Sequence, residues 1–186
     1  FMKSMKKGLV WLFLTVFLFN IYYPFLLPLP ATAAVTDDIQ EHWANGVITE
    51  LMEKGIVPVL PDGSFPPDTT ISRAEFTAML VKAFHLDITN GRVFKDTERH
   101  WAKDYIAVAH AYGIVSGYSD TAFGPDDPIT REQVAAILAK AAAFKKSDAG
   151  SAFTDSETIS PWANDAVAAA AALQIIVGFP DGSFRH

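Results

Sequence analysis

An all-α fold of tandem helix-loop-helix repeats is predicted by three features of this 186-residue chain. First, His42-Trp43-Ala44, His100-Trp101-Ala102 and Pro161-Trp162-Ala163 open three similar stretches. Second, a fixed offset links them. A shift of 58 carries Trp43, Ile56, Asp62, Phe65 and Arg73 onto Trp101, Ile114, Asp120, Phe123 and Arg131, and a further shift of 61 carries Asp120 and Phe123 onto Asp181 and Phe184. Third, apolar residues within each stretch recur at helical spacing between turns rich in glycine and proline. Repeats of this kind bury their apolar faces against one another.

The elements follow in order. In the first unit, Trp43, Val47, Ile48, Leu51 and Met52 mark one helical face, and Gly55 is placed to end that helix. Pro61-Asp62-Gly63-Ser64 is a turn, Phe65 an apolar plug, and Pro66-Pro67-Asp68 an extended loop. A second helix begins after Ser72, with Phe76, Met79, Leu80, Ala83 and Phe84 on its expected face. The second unit repeats the scheme with Trp101, Tyr105, Ile106 and Ala109, then Gly113, then a helix bearing Val134, Ile137, Leu138 and Ala141. The third opens at Phe153-Thr154-Asp155, matching Phe94-Lys95-Asp96, and has a helix expected from Trp162 to Leu173. Its loop and second helix have no counterpart before His186. The third repeat is therefore expected to be truncated, with a third arginine beyond His186, and a chain lacking that helix to be marginal, dynamic or self-associating.

Residues 1–33 read as a signal peptide. Lys3, Lys6 and Lys7 precede an uncharged apolar run, and Ala31-Thr32-Ala33 is a small-x-small cleavage pattern. The rival is a retained membrane anchor, since the run is long enough to span a bilayer. The expected domains are then residues 1–33, 34–90, 91–149 and 150–186. There is no cysteine, so the exported part has neither disulfide nor thiol chemistry. Of 15 basic and 21 acidic residues, signal removal takes away three lysines and leaves 12 against 21, a net charge of −9. That balance argues against nucleic acid as a partner, and after cleavage no membrane segment remains.

Ser72-Arg73-Ala74-Glu75 and Thr130-Arg131-Glu132-Gln133 each fit a capping box, which accounts for Ser72, Glu75, Thr130 and Gln133. It leaves Arg73 and Arg131 unexplained, because a cation in the first turn opposes the helix dipole. Two readings stand: an anion held by arginine beside free helix N–H groups, or an intramolecular salt bridge. Trp43, Trp101 and Trp162 likewise admit two readings, core packing on a helical stripe or stacking on a carbohydrate, and the stripe favours the core.

Together these features resemble the S-layer homology domain family. The resemblance rests on Phe94-Lys95-Asp96 and Phe153-Thr154-Asp155, the tryptophan-alanine helix starts, Gly117-Tyr118 and Gly178-Phe179, the Asp-Gly-Ser-Phe turns, and the Ile-Ser/Thr-Arg helix starts, over about Thr36 to His186. It implies a pseudo-threefold bundle that anchors an exported protein at the cell surface by binding secondary cell-wall polysaccharide between repeats. That anionic polymer often ends in a pyruvylated sugar. The resemblance implies a binding set of Arg73, Arg131, Glu75, Gln133 and Gly117, with Trp43 and Trp101 as stacking candidates. The chain departs from the family pattern at Val59-Leu60, at Gln133 in place of glutamate, and at Gln174 in place of a helix-ending glycine.

No nucleophile motif, paired-carboxylate motif, zinc spacing or cofactor fingerprint stands out, so the chain reads as a non-enzyme without metal or cofactor. His42 and His100 share a repeat position that suggests capping or packing. The alternatives are a glycan-active enzyme whose catalytic domain lies beyond the chain end, or a protein-interaction repeat that binds no glycan.

Overall fold

Helix packing in this protein runs across repeats. A computed structural model describes residues 37–57, 65–87, 91–146 and 153–185. Among them are α1 (Asp37–Gln40), α2 (Asn45–Glu53), α3 (Arg73–Ala83), α4 (Lys103–Ala111), α5 (Arg131–Ala141) and α6 (Asn164–Ala172), with 3-10 turns at Lys95–Thr97 and Ser156–Thr158. No strand occurs among the described residues; a lone antiparallel bridge joins Ser72 to Pro128. The fold is all-α, as the repeat pattern predicts. The signal segment, the first-unit turn at Pro61–Ser64 and residues 147–152 of the polar linker lie outside the described residues.

The second helix of one repeat packs on the first helix of the next: α3 on α4, and α5 on α6. Each junction has its own core. The first centres on Leu80 and Val81 of α3, Ile106 and Val108 of α4, and the rings of Phe94 and Phe123. The second joins Ala135 of α5 to Ile159, Ala163, Val167 and Phe184. There Glu132 is also buried, and its carboxylate accepts from the Ser160 backbone N–H at 3.0 Å and from the Ser160 hydroxyl at 2.9 Å.

Both predicted capping boxes form. Ser72 Oγ accepts from Glu75 N while Glu75 Oε2 accepts from Ser72 N; Thr130 and Gln133 repeat the exchange. The buried face of α3 differs from the expected one: Ala74, Thr77, Ala78, Leu80 and Val81 are buried, whereas Phe84 is 42% exposed. Phe76 and Met79 are only partly buried, with Phe76 packed against the margin of the core.

The tryptophans are not core residues. Trp43, Trp101 and Trp162 are 91%, 59% and 58% exposed. The helices begin two residues later, at Asn45, Lys103 and Asn164, so each tryptophan lies in the preceding turn, where the helical period does not apply. The alanine that follows is the inward residue at the two junctions, with Ala102 and Ala163 fully buried.

The first helices end alike. Gly55, Gly113 and Gln174 have φ of +65°, +71° and +57°. Only glutamine has a side chain in that left-handed position, which is unfavourable for L-residues. Gln174→Gly is therefore expected to raise the unfolding free energy by about 1 kcal/mol. A higher urea midpoint at unchanged slope would bear this out; an unchanged midpoint would show that the glutamine side chain offsets its backbone strain.

Candidate functional site

Arg73 joins the first repeat to the second. It is 5% exposed although it opens α3. Its Nε donates to Phe123 O and its Nη2 to Ser116 O, both at 3.1 Å. The guanidinium carbon lies 4.4 Å from the Tyr118 ring centroid and 4.5 Å from that of Phe123. Burial pushes its pKa down, opposed by the charges of Tyr118, Asp127 and Asp96; an arginine stays protonated through such a shift. The free N–H groups expected beside it are engaged. Arg73 N donates to Asp127 O, Ala74 N to Pro125 O and Glu75 N to Ser72 Oγ.

Arg131 repeats the arrangement one repeat on. Its Nη2 donates to Val177 O at 3.0 Å, and its guanidinium lies 5.1 Å from the Phe179 ring and 5.0 Å from that of Phe184. Its Nε is buried without a hydrogen-bond partner among the described residues. Burial again lowers its pKa, against the charge of Asp155. Neither reading of the arginines from sequence anticipated this. They bind carbonyls and aromatic rings of the next repeat, and neither makes a salt bridge among the described residues.

The loops that receive the arginines are held from behind. Asp96 accepts from Phe123 N (2.8 Å to Oδ2) and Gly124 N (2.8 Å), and Asp155 accepts likewise from Phe184 N and Arg185 N. Phe94 and Phe153 stack on Phe123 and Phe184 at 5.6 and 5.3 Å. His42 and His100 brace the turns ahead of α2 and α4. Ala44 N donates to His42 Nδ1 and Ala102 N to His100 Nδ1. That places the ring proton on Nε2, which faces Asp68 and Asp126 respectively. In the third loop, the Ser183 hydroxyl, Arg185 and the Ser183 N–H hold the Asp181 carboxyl well below the usual carboxylate range.

A cleft of about 320 Å³ opens beside this machinery, between all three repeats. Arg73, Gly117, Tyr118, Gln133, Lys140 and Trp162 line it. It therefore unites four of the residues singled out in sequence or adjoining them with Trp162, for which the sequence admitted carbohydrate stacking, and with Lys140, which the sequence reading left aside. Glu75 is instead committed to its capping box, and Arg131 and Trp43 lie away from this cleft. Trp101 lines a second cleft, of about 470 Å³, between α3 and α4. Gly117 has no side chain for a reason internal to the protein: an added Cβ would lie 2.4 Å from Phe94 Cε1 and 2.6 Å from Ala122 O. The signal that could have found Lys140 was in the repeat arithmetic, since Lys82 and Lys140 are 58 residues apart.

A family model described as the S-layer homology domain matches residues 36–77, 93–135 and 152–185. The chain belongs to the S-layer homology domain family. Its three matched segments coincide with the three repeats, the third being shorter. Among relatives, an amylopullulanase of Thermoanaerobacterium thermosulfurigenes is 36% identical over 155 residues, 80% of this chain and 8% of that protein. The surface-layer 125 kDa protein of Lysinibacillus sphaericus is 32% identical over 151 residues, 80% of this chain and 13% of that protein. A cellulosome-anchoring protein of Acetivibrio thermocellus is 36% identical over 103 residues, 52% of this chain and 23% of that protein. The S-layer homology chain thus spans less than a quarter of each of these relatives. No helix among the described residues is long and apolar enough to cross a membrane.

Proposed function

We propose that this chain holds an exported protein on the bacterial cell wall by binding an acidic secondary wall polysaccharide in the cleft between repeats. Membership of a surface-anchoring family gives the class of function. The observation that supports the ligand is the cleft itself: an exposed indole face on Trp162 beside the lysine of Lys140, on walls held by Arg73. An indole face takes the C–H face of a pyranose, and a cation beside it takes an acidic substituent. A pyruvate ketal on a pyranose supplies both in one residue. Glu75 and Gln133 serve this site by fixing the helix starts, and Gly117 by letting the loop lie against Phe94.

The test is retention on purified sacculi. The protein is expected to sediment with intact sacculi, and to stay in solution once the wall polymer has been chemically extracted. Removing only the ketal with mild acid is expected to weaken binding roughly tenfold or more, the loss of one charge-assisted contact. Equal retention on polymer-free peptidoglycan would rule out the polysaccharide as the ligand.

A further inference from the structure

The turn that carries Trp162 is held differently from those that carry Trp43 and Trp101. In the first two repeats a histidine precedes the tryptophan. His42 and His100 each accept from the alanine N–H two residues on, and their Nε2 atoms face Asp68 and Asp126 of the same repeat at 3.3 and 3.1 Å. The third repeat has Pro161 at that place, and a pyrrolidine ring can do neither. Ala163 N donates instead to Ser160 O at 2.8 Å, which closes the turn around Trp162.

Glu132, on the preceding repeat, supplies a polar tie to this turn. Its carboxylate oxygens accept from Ser160 N at 3.0 Å and Ser160 Oγ at 2.9 Å, and it is 8% exposed. Shifts of 58 and 61 residues relate Glu132 to Ala74 and Ser160 to Arg99. Ala74 has no side-chain acceptor, and Arg99 is exposed. The first junction therefore lacks this pair, and the second has it where the histidine is missing. The carboxylate sits in the first turn of α5, where the helix dipole favours it. With both oxygens taken by one residue, it holds that residue in distance and in angle.

The placement matters because of what lies on either side. Gln133, Ile137 and Lys140 of α5 line the three-repeat cleft, and Glu132 is on the same helix. Among the described lining residues, Trp162 alone comes from the third repeat. Ala163, which follows the indole, is fully buried in the core that includes Ala135 of α5. Trp162 itself is exposed between these two anchors, so its backbone is pinned to the helix that forms the facing wall.

We propose that Glu132 is a positioning residue of the cleft: through Ser160 it fixes the turn that presents the Trp162 indole to the glycan, without touching the glycan itself. This deepens the wall-polysaccharide reading and rests on it. Without the carboxylate, the Ser160 N–H and hydroxyl exchange to water and the turn samples other positions. Apparent affinity then falls with the fraction of molecules that present the indole correctly, so a turn in place about one-tenth of the time binds about tenfold more weakly.

The test compares the wild-type protein with E132A, E132Q, S160A, W162A and E132A/W162A. The probe is wall polysaccharide released from sacculi, at a temperature where circular dichroism shows each variant folded. E132A is expected to bind about tenfold more weakly, and S160A to lose less because the backbone N–H bond remains. E132Q is expected to bind like the wild type: its amide oxygen accepts from Ser160 N and its amide nitrogen donates to Ser160 Oγ, so the turn stays tied without the charge. W162A and E132A/W162A are expected to bind equally, since the second change has no indole left to position. A Glu132 that acted only on the fold would weaken binding in both backgrounds. Trp162 fluorescence anisotropy, read without glycan in a W11F/W43F/W101F background, is expected to fall in E132A and to recover in E132Q. Wild-type affinity or wild-type anisotropy in E132A would overturn this assignment alone, as would a further loss on adding E132A to W162A. Failure of the wild-type protein to bind the released polymer would overturn the wall-polysaccharide reading, and the role of Glu132 with it.

Discussion

Arg73→Ala is expected to lower the unfolding free energy by about 3 kcal/mol, and Arg131→Ala by about half of that. The difference comes from what each guanidinium touches. Arg73 makes two charge-assisted hydrogen bonds, to Phe123 O and Ser116 O, and lies against two rings. Hydrogen bonds to charged groups contribute roughly 1.5–3 kcal/mol each, and ring contacts about 1 kcal/mol, with overlap between them. The alanine variant also leaves two carbonyl groups without their donor at the first junction. Arg131 makes one such bond, its rings lie 5.0 and 5.1 Å from the cation against 4.4 and 4.5 Å for Arg73, and its Nε is already without a partner among the described residues. Urea denaturation of both variants decides the matter, with Arg73→Lys as a control expected to recover only part of the loss, because an ammonium cannot span both carbonyls in one plane. Equal losses in the two alanine variants would mean that the second bond and the closer rings contribute nothing. The same result bears on function. If Arg73→Ala also weakens wall binding, only a measurement well below its melting temperature separates a reshaped cleft from an unfolded one.

Much of this architecture was legible because it depends on local chemistry. Ser72 and Thr130 stand before Glu75 and Gln133 at the spacing that a capping box requires, and α3 and α5 begin where that pattern places them. Glycine at the end of the first helices, and the repeat offsets themselves, are likewise local or arithmetical. Two features were not legible for a definite reason. Trp101 looked like a core residue because it stands at helical spacing from Tyr105 and Ile106, but the helix starts at Lys103, so the period extended past its physical origin. The junction contacts of Arg73 were hidden because its partners, Ser116 and Phe123, are 43 and 50 residues away and contribute backbone carbonyls. A backbone acceptor leaves no mark on residue identity. The Lys140 and Trp162 pair of the proposed binding cleft has the same character: the two sit on different repeats, and only the packing of α5 on α6 brings them to one groove.

Gly117→Ala and Gly178→Ala occupy the same place in successive repeats and are expected to differ sharply. At Gly117 a new Cβ would lie 2.4 Å from Phe94 Cε1, 2.6 Å from Ala122 O and 2.7 Å from Ser119 O. Two of these neighbours are backbone atoms of the same tight loop, and the third is a ring that is 1% exposed, tilted against Phe123 and edge-on to His110. None can yield without moving the loop that receives Arg73. Overpacking of this kind costs about 3 kcal/mol or more. At Gly178 the nearest atoms are Phe153 Cε1 at 3.0 Å, Phe153 Cδ1 at 3.2 Å and Ser183 O at 3.2 Å. Phe153 is only half-buried and need give by no more than a few tenths of an ångström, so a cost of about 1 kcal/mol is expected there. The two melting curves provide the comparison, and Phe94→Leu in the Gly117→Ala background provides the check on mechanism. A smaller side chain at 94 removes the ring contact but leaves both carbonyl clashes, so it should recover only a minor part of the loss. Full recovery would place the strain in the Phe94 ring. A Gly117→Ala variant as stable as Gly178→Ala would show that the second-repeat loop is softer than its hydrogen bonds to Asp96 imply, and that Arg73 docks into a loop able to adjust around it.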